Sequence, residues 1–191
     1  MTPAPSPRGR RSIRLAGYDY ASPGAYFITL VTYQRLCLFG TIRDGEMELS
    51  AVGMIVAEKW HEISGHFTNV ELGEYVVMPN HVHGIIILHD VPRRGVVSTP
   101  AGRGGGTPPD DLKKGDETSP LRWTTLGQVV AYYKYQSTKQ VNAVMDSPGT
   151  QLWQRNYYDH ILRNDKEYAR INAYIASNPI HWEDDDENVR L

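Results

Sequence analysis

Val76-Val77-Met78-Pro79-Asn80-His81-Val82-His83-Gly84-Ile85-Ile86-Ile87-Leu88 is the stretch that decides how this chain folds. Two apolar runs, 70–79 and 81–89, meet at Pro79-Asn80, a tight break between strands. The pattern predicts two neighbouring antiparallel strands. Side chains alternate across a strand, so His81 and His83 share one face. Both imidazoles can then offer a nitrogen to one divalent metal from a stiff support. The plainer alternative is a pair of buried, hydrogen-bonded histidines with no ion.

Working outward, residues 24–34 are rich in β-branched and aromatic side chains and read as a first strand. Gly40 and Asp44-Gly45 suggest a loop or small hairpin over 37–48. Ser50 is placed to cap a helix running to about Phe67, in which Val52, Ile55, Val56, Trp60 and Ile63 recur at helical spacing. Thr124 or Thr125 opens a second helix to about Met145, with Val129, Val130, Tyr133 and Val141 facing inward. Leu152 to Leu162 reads as a fourth main strand. Asn164, with Glu167 three positions on, resembles a capping box that starts a last helix, which stops at Asn178-Pro179. The order β, α, β, β, α, β, α predicts an α+β, ferredoxin-like (split βαβ) fold. Its antiparallel four-stranded sheet carries two helices, with an additional C-terminal helix free to pack on the face the histidines look into.

Composition narrows the partners. The 191 residues carry a formal charge of −2, so there is no global basic signal for nucleic acid. The charge is uneven, with Arg8, Arg10, Arg11 and Arg14 at the start and Glu183 to Glu187 near the end. One cysteine, Cys37, excludes an internal disulfide and a cysteine-based zinc site. No apolar run reaches the roughly 18 residues of a membrane span, and no apolar signal core follows the basic start. The expected location is the cytoplasm. Residues 1–14 are expected to be a mobile basic segment and 15–181 a single domain. A mobile Gly/Pro-rich insert is expected over 92–119, and an acidic tail over 182–191.

Tyr174 and Asn178 lie at i and i+4 on the last helix and so on one face. If that face meets the sheet beside His81 and His83, the Asn178 amide oxygen can complete a three-ligand site with vacant positions, near the Tyr174 phenol. Such a set suits Mg²⁺ or Mn²⁺ in phosphoryl transfer. Equally, Tyr168, Ile171, Tyr174 and Ile175 make an ordinary core stripe, and Asn before Pro is a common helix stop. Of Tyr157 and Tyr158, only one can share the histidines' face, and His160 follows Tyr158 on its side. Lys134, Lys139, Arg155 and Arg163 are by default solvated cations that together could track phosphates.

Met78-Pro79-Asn80-His81-Val82-His83-Gly84-Ile85 resembles the HUH motif (His, hydrophobic, His) of the single-tyrosine transposases. Trp153 to Asn164, the run Tyr174-Ile175-Ala176-Ser177-Asn178-Pro179, and the opening Arg10 to Leu15 with Gly17 to Tyr20 resemble the REP-associated tyrosine transposases in particular. That resemblance implies His81, His83 and Asn178 as ligands of Mg²⁺ or Mn²⁺ and Tyr174 as nucleophile on the catalytic helix. It also implies single-stranded DNA bearing a REP-like hairpin as partner. Arg10, Arg11, Arg14, Lys134, Arg155 and Arg163 are the candidate DNA contacts. A monomer is favoured over the dimer of related insertion-sequence transposases.

The implied activity is a metal-dependent single-stranded DNA endonuclease and strand transferase that works through a 5′-phosphotyrosine intermediate. The main alternative is a domesticated, catalytically idle protein that binds hairpins or single strands. A single-strand RNA module is a weaker rival, since the aromatic RNP consensus is absent. A barrel metallohydrolase is weaker still, since the chain is short of about 250 residues and lacks the alternating βα pattern.

Overall fold

The computed structural model describes residues 17–90 and 124–188. The expected basic segment 1–14 and insert 92–119 lie outside them.

Among the described residues six strands and three α-helices follow one another: β1 (Gly24–Val31), β2 (Gly40–Arg43), β3 (Glu46–Leu49), α1 (Ala51–His66), β4 (Val70–Met78), β5 (His81–Leu88), α2 (Leu126–Val144), β6 (Tyr158–Leu162) and α3 (Asp165–Ser177). The main sheet has the order β4-β5-β1-β6 and every pairing in it is antiparallel. This is the split βαβ arrangement expected from the element order, with β5 and β1 central. β2 and β3 form a separate hairpin closed at Asp44-Gly45.

Local chemistry starts each helix where the sequence predicts. The Ser50 hydroxyl accepts from the Gly53 amide, 3.1 Å away, and opens α1. Thr125 and Gln128 form a reciprocal capping box at α2. The Asn164 side chain accepts from the Glu167 amide at 2.9 Å. The other half of that expected box is not made, because the Glu167 carboxylate accepts from the Arg163 amide and bonds His160 instead.

The two sheet faces bury different partners. Tyr26, Ile28, Leu30, Val82, Ile86 and Leu88 pack under α1 and α2 in the larger core, with Trp60 and Tyr133. Gly84 leaves the gap that the Trp60 indole fills. On the other face, Phe27, Ile85 and Leu162 receive Ile171 and Ile175 of α3. The last helix therefore covers the face onto which His81 and His83 project.

The fourth main strand is shorter than expected. Residues 152–157 leave the ladder except for a bridge between Thr32 and Trp153. The reason is tertiary: the Trp153 indole turns into the core, donating to the Ser137 hydroxyl at 2.9 Å. The Gln154 and Asn156 carbonyls accept from Lys134 Nζ rather than from a neighbouring strand.

Candidate metal centre and tyrosine cleft

Each histidine is aimed by a neighbour. Asn80, wholly buried, donates both amide hydrogens to carbonyls, to Arg35 at 3.2 Å and to Glu187 at 2.8 Å. Its oxygen is left facing Nδ1 of His81 at 2.9 Å. Thr29 pairs with His83 across the β1–β5 ladder and sets its hydroxyl 2.9 Å from Nδ1 of that ring. With both Nδ1 atoms engaged, the two Nε2 atoms converge to 3.0 Å. The Tyr174 phenol reaches the same point from α3, 3.3 Å from His83 Nε2.

An acidic side chain completes the group. His81, His83 and Asp185 each bring a donor atom within 4.8 Å of the others. Asp185 lies past the helix stop, as the extended residue that ends the 3₁₀ segment Asn178–Asp184. Its carboxylate is held by the Glu187 amide at 2.7 Å and by Asn178 Nδ2 at 3.3 Å. Asn178 is buried, and its side-chain oxygen has no hydrogen-bond partner. Two imidazole nitrogens, a carboxylate and an orphaned amide oxygen form a donor set that fits a divalent cation. The sequence reading placed Asn178 as third ligand; the structure adds the carboxylate of Asp185 to the histidine pair, with Asn178 Nδ2 3.3 Å from it.

Burial keeps both imidazoles neutral, as metal ligation requires. The His81 imidazole is pushed down to about 3 by burial, with the Arg35 cation adding to the effect. His83 is held well below its ordinary value by burial and by His81, against an upward pull from Asp185. Burial and the Asp185 carboxylate raise the Tyr174 phenol above its usual value, while the Asn178 amide works the other way. Tyr174 is nevertheless 42 % exposed, so its hydroxyl meets whatever enters the cleft.

That cleft is open and about 1080 Å³. Phe27, His83, Tyr158, His160 and Tyr174 line its floor and walls, and Arg35, Arg155 and Arg170 supply cations. Tyr158, not Tyr157, shares the histidines' face, because it pairs with Thr29 in the β1–β6 ladder. His160 is bonded to Glu167 at 2.5 Å. Arg35 is engaged by the Glu187 carboxylate at 3.0 Å and by the Asp186 carbonyl at 3.1 Å.

The candidate DNA contacts divide. Arg155 lines the cleft, whereas Arg163 does not, although it is exposed. Lys134 is half-buried on the Gln154 and Asn156 carbonyls and 5.7 Å from the Tyr157 ring, where it braces a wall. Arg10, Arg11 and Arg14 lie outside the described residues. Asp185 and Arg170 were missed from sequence. Asp185 sat inside an acidic run that reads as a solvated tail, and Arg170 is one of many exposed helix cations.

A protein of Haemophilus influenzae, described only as uncharacterized, is 40% identical over 179 residues, 92% of this chain and 91% of its own length. The chain belongs to that protein's family. No protein-family model matches it. Among solved structures it resembles a REP-associated tyrosine transposase bound to a REP hairpin, with a TM-score of 0.54 and 19% identity over 89% of this chain and 74% of that one. The chain thus shares the fold of that transposase. No helix among the described residues is long and apolar enough to cross a membrane.

Proposed function

We propose that this protein is a tyrosine transposase of the HUH type: a metal-dependent endonuclease and strand transferase acting on single-stranded DNA that carries a hairpin. The observation that carries the reading is the Tyr174 hydroxyl, 3.3 Å from His83 Nε2 at the mouth of an open cleft. The fold it shares with a transposase solved on a REP hairpin supports DNA as the partner.

His81, His83 and Asp185, with Asn178 beside them, would hold Mg²⁺ or Mn²⁺. When bound, such an ion supplies positive charge that polarises a phosphate and offsets charge in the transition state. The Tyr174 oxygen attacks the scissile phosphorus in line, with its proton leaving into the open cleft. A tyrosine O–P bond forms and the bond to the 3′ oxygen breaks. That oxygen takes up a proton, leaving a free 3′-hydroxyl and a 5′-phosphotyrosine. Attack by another 3′-hydroxyl reverses the step and joins new ends, since the phosphodiester energy is kept in the tyrosine bond. Arg155 and Arg170 are placed along the cleft to track phosphates.

The test is a covalent adduct. Labelled single-stranded hairpin DNA with Mg²⁺ or Mn²⁺ should become attached to Tyr174 through the 5′ phosphate at the cut. Tyr174→Phe removes only the hydroxyl, so it should retain DNA binding and lose the adduct. An adduct that survives in Tyr174→Phe moves the nucleophile to another tyrosine. No adduct in the unaltered protein, with hairpin binding intact, favours an idle binder.

A further inference from the structure

We infer that Asn80 and Thr29 are positioning residues that set which nitrogen of each histidine carries the proton, Asn80 by locking His81 and Thr29 by letting His83 change. The inference rests on reading His81 and His83 as metal ligands. Neither Asn80 nor Thr29 touches the reacting atoms, so their effect passes through the imidazoles.

The lock at His81 follows from the Asn80 amide. Both of its N–H groups are spent on the carbonyls of Arg35 and Glu187. Turning the amide over would set its oxygen against two carbonyl oxygens in a fully buried site, an arrangement with no compensating bond. The amide oxygen must therefore face His81, and it can only accept. The neutral His81 imidazole consequently donates from Nδ1 and presents a bare lone pair at Nε2.

His83 is held differently. Its Nε2 lies 3.0 Å from the bare Nε2 of His81. Two lone pairs facing each other at that distance repel, so without an ion His83 keeps its proton on Nε2 and donates it to His81. Its Nδ1 is then an acceptor, and the Thr29 hydroxyl donates to it across 2.9 Å. Ligation needs the opposite tautomer. One proton leaves Nε2 of His83 and one is taken up at Nδ1, with no net change in charge, and the Thr29 oxygen turns from donor to acceptor. A hydroxyl can serve in both roles because it carries one hydrogen and two lone pairs. An amide oxygen cannot, which is why the two supports are chemically different.

Nitrogen-resolved NMR of the full chain with labelled histidines, with and without Zn²⁺ as a diamagnetic probe, reads the tautomers directly. His81 should be protonated at Nδ1 in both samples. His83 should carry its proton on Nε2 without the ion and on Nδ1 with it. Calorimetric Mn²⁺ titration provides the second readout. Removing a supporting partner should weaken binding by roughly 10–100-fold, in Thr29→Val and in Asn80→Ala. Thr29→Ser restores the hydroxyl and should recover most of the affinity. A merely structural role would lower melting temperature without this pattern of rescue. Should Asn80→Ala fail to fold, the unaltered protein's tautomers and the Thr29 pair still decide. A His81 protonated at Nε2 without metal, or a Thr29→Val protein that binds Mn²⁺ as tightly as the unaltered chain, overturns the inference. Absence of any metal binding by the unaltered protein instead defeats the reading of the site beneath it, while the ion-free His81 signal continues to report on Asn80.

Discussion

The Tyr174 hydroxyl and His83 Nε2 lie 3.3 Å apart although 91 residues separate them along the chain. Their rings sit 5.3 Å apart, with Phe27 edge-on to Tyr174 at 6.1 Å. The contact depends on a helix being laid over the sheet face opposite α1 and α2. Ile171 and Ile175 do this by burying themselves on Phe27, Ile85 and Leu162. One turn of the same helix thus supplies the apolar anchor and the phenol.

The metal donors can be ranked by titration. Replacing His81 and His83 together with Ala should abolish Mn²⁺ binding and metal-dependent cleavage while the far-ultraviolet circular dichroism stays close to that of the unaltered chain. Asp185→Asn should weaken Mn²⁺ binding by more than the roughly 10–100-fold typical of a supporting partner, and Asn178→Ala by about that amount. The reverse ranking would make the Asn178 oxygen the ligand and Asp185 its support.

DNA affinity should be strongly salt-dependent, and hairpin DNA with a single-stranded flank should bind better than a flush duplex. Arg170→Ala and Arg155→Ala each remove one cleft cation. Each should reduce the slope of log affinity against log salt by about 1. Arg163→Ala, away from the cleft, should change it less. Equal slopes for all three variants would place the strand elsewhere.

Gly84→Ala probes the closest packing in the larger core. A methyl there would fall inside the Trp60 indole, which is wholly buried and stacks on Tyr75. The indole must shift to admit it, so the substitution should cost about 1–3 kcal/mol. Urea unfolding measures it, and an unchanged midpoint would show that Trp60 can shift.

Lys134 makes stability depend on pH. Burial lowers its ammonium from 10.5 to about 8 in the folded chain. The unfolded chain therefore binds more protons between those values, and stability contributed by this group rises with pH across that window. Below about 8 both states are protonated and the whole burial cost is present. The melting temperature of the unaltered protein, measured against Lys134→Met, should gain a few degrees between pH 7.5 and 10. A constant difference would mean the ammonium is fully hydrated.

Much of the fold is written in local patterns. The two apolar runs around the break at Pro79-Asn80 specify two paired strands, and the stripe from Val52 to Ile63 specifies the buried face of α1. Strand and helix order then leaves few ways to assemble the sheet. The shared face of His81 and His83 needs nothing beyond the strand's two-residue period. What the tertiary structure alone decided is non-local. Asp185 meets the histidines beyond the end of the last helix, where Asn178 and the Glu187 amide hold its carboxylate, and no periodicity distinguishes it from Asp184 or Asp186. Residues 152–157 have strand-like composition, but Trp153 finds a deeper site in the core and Lys134 takes the neighbouring carbonyls. A side chain's role at such positions is set by which distant groups surround it, and that arrangement exists only once the two sheet faces have been covered.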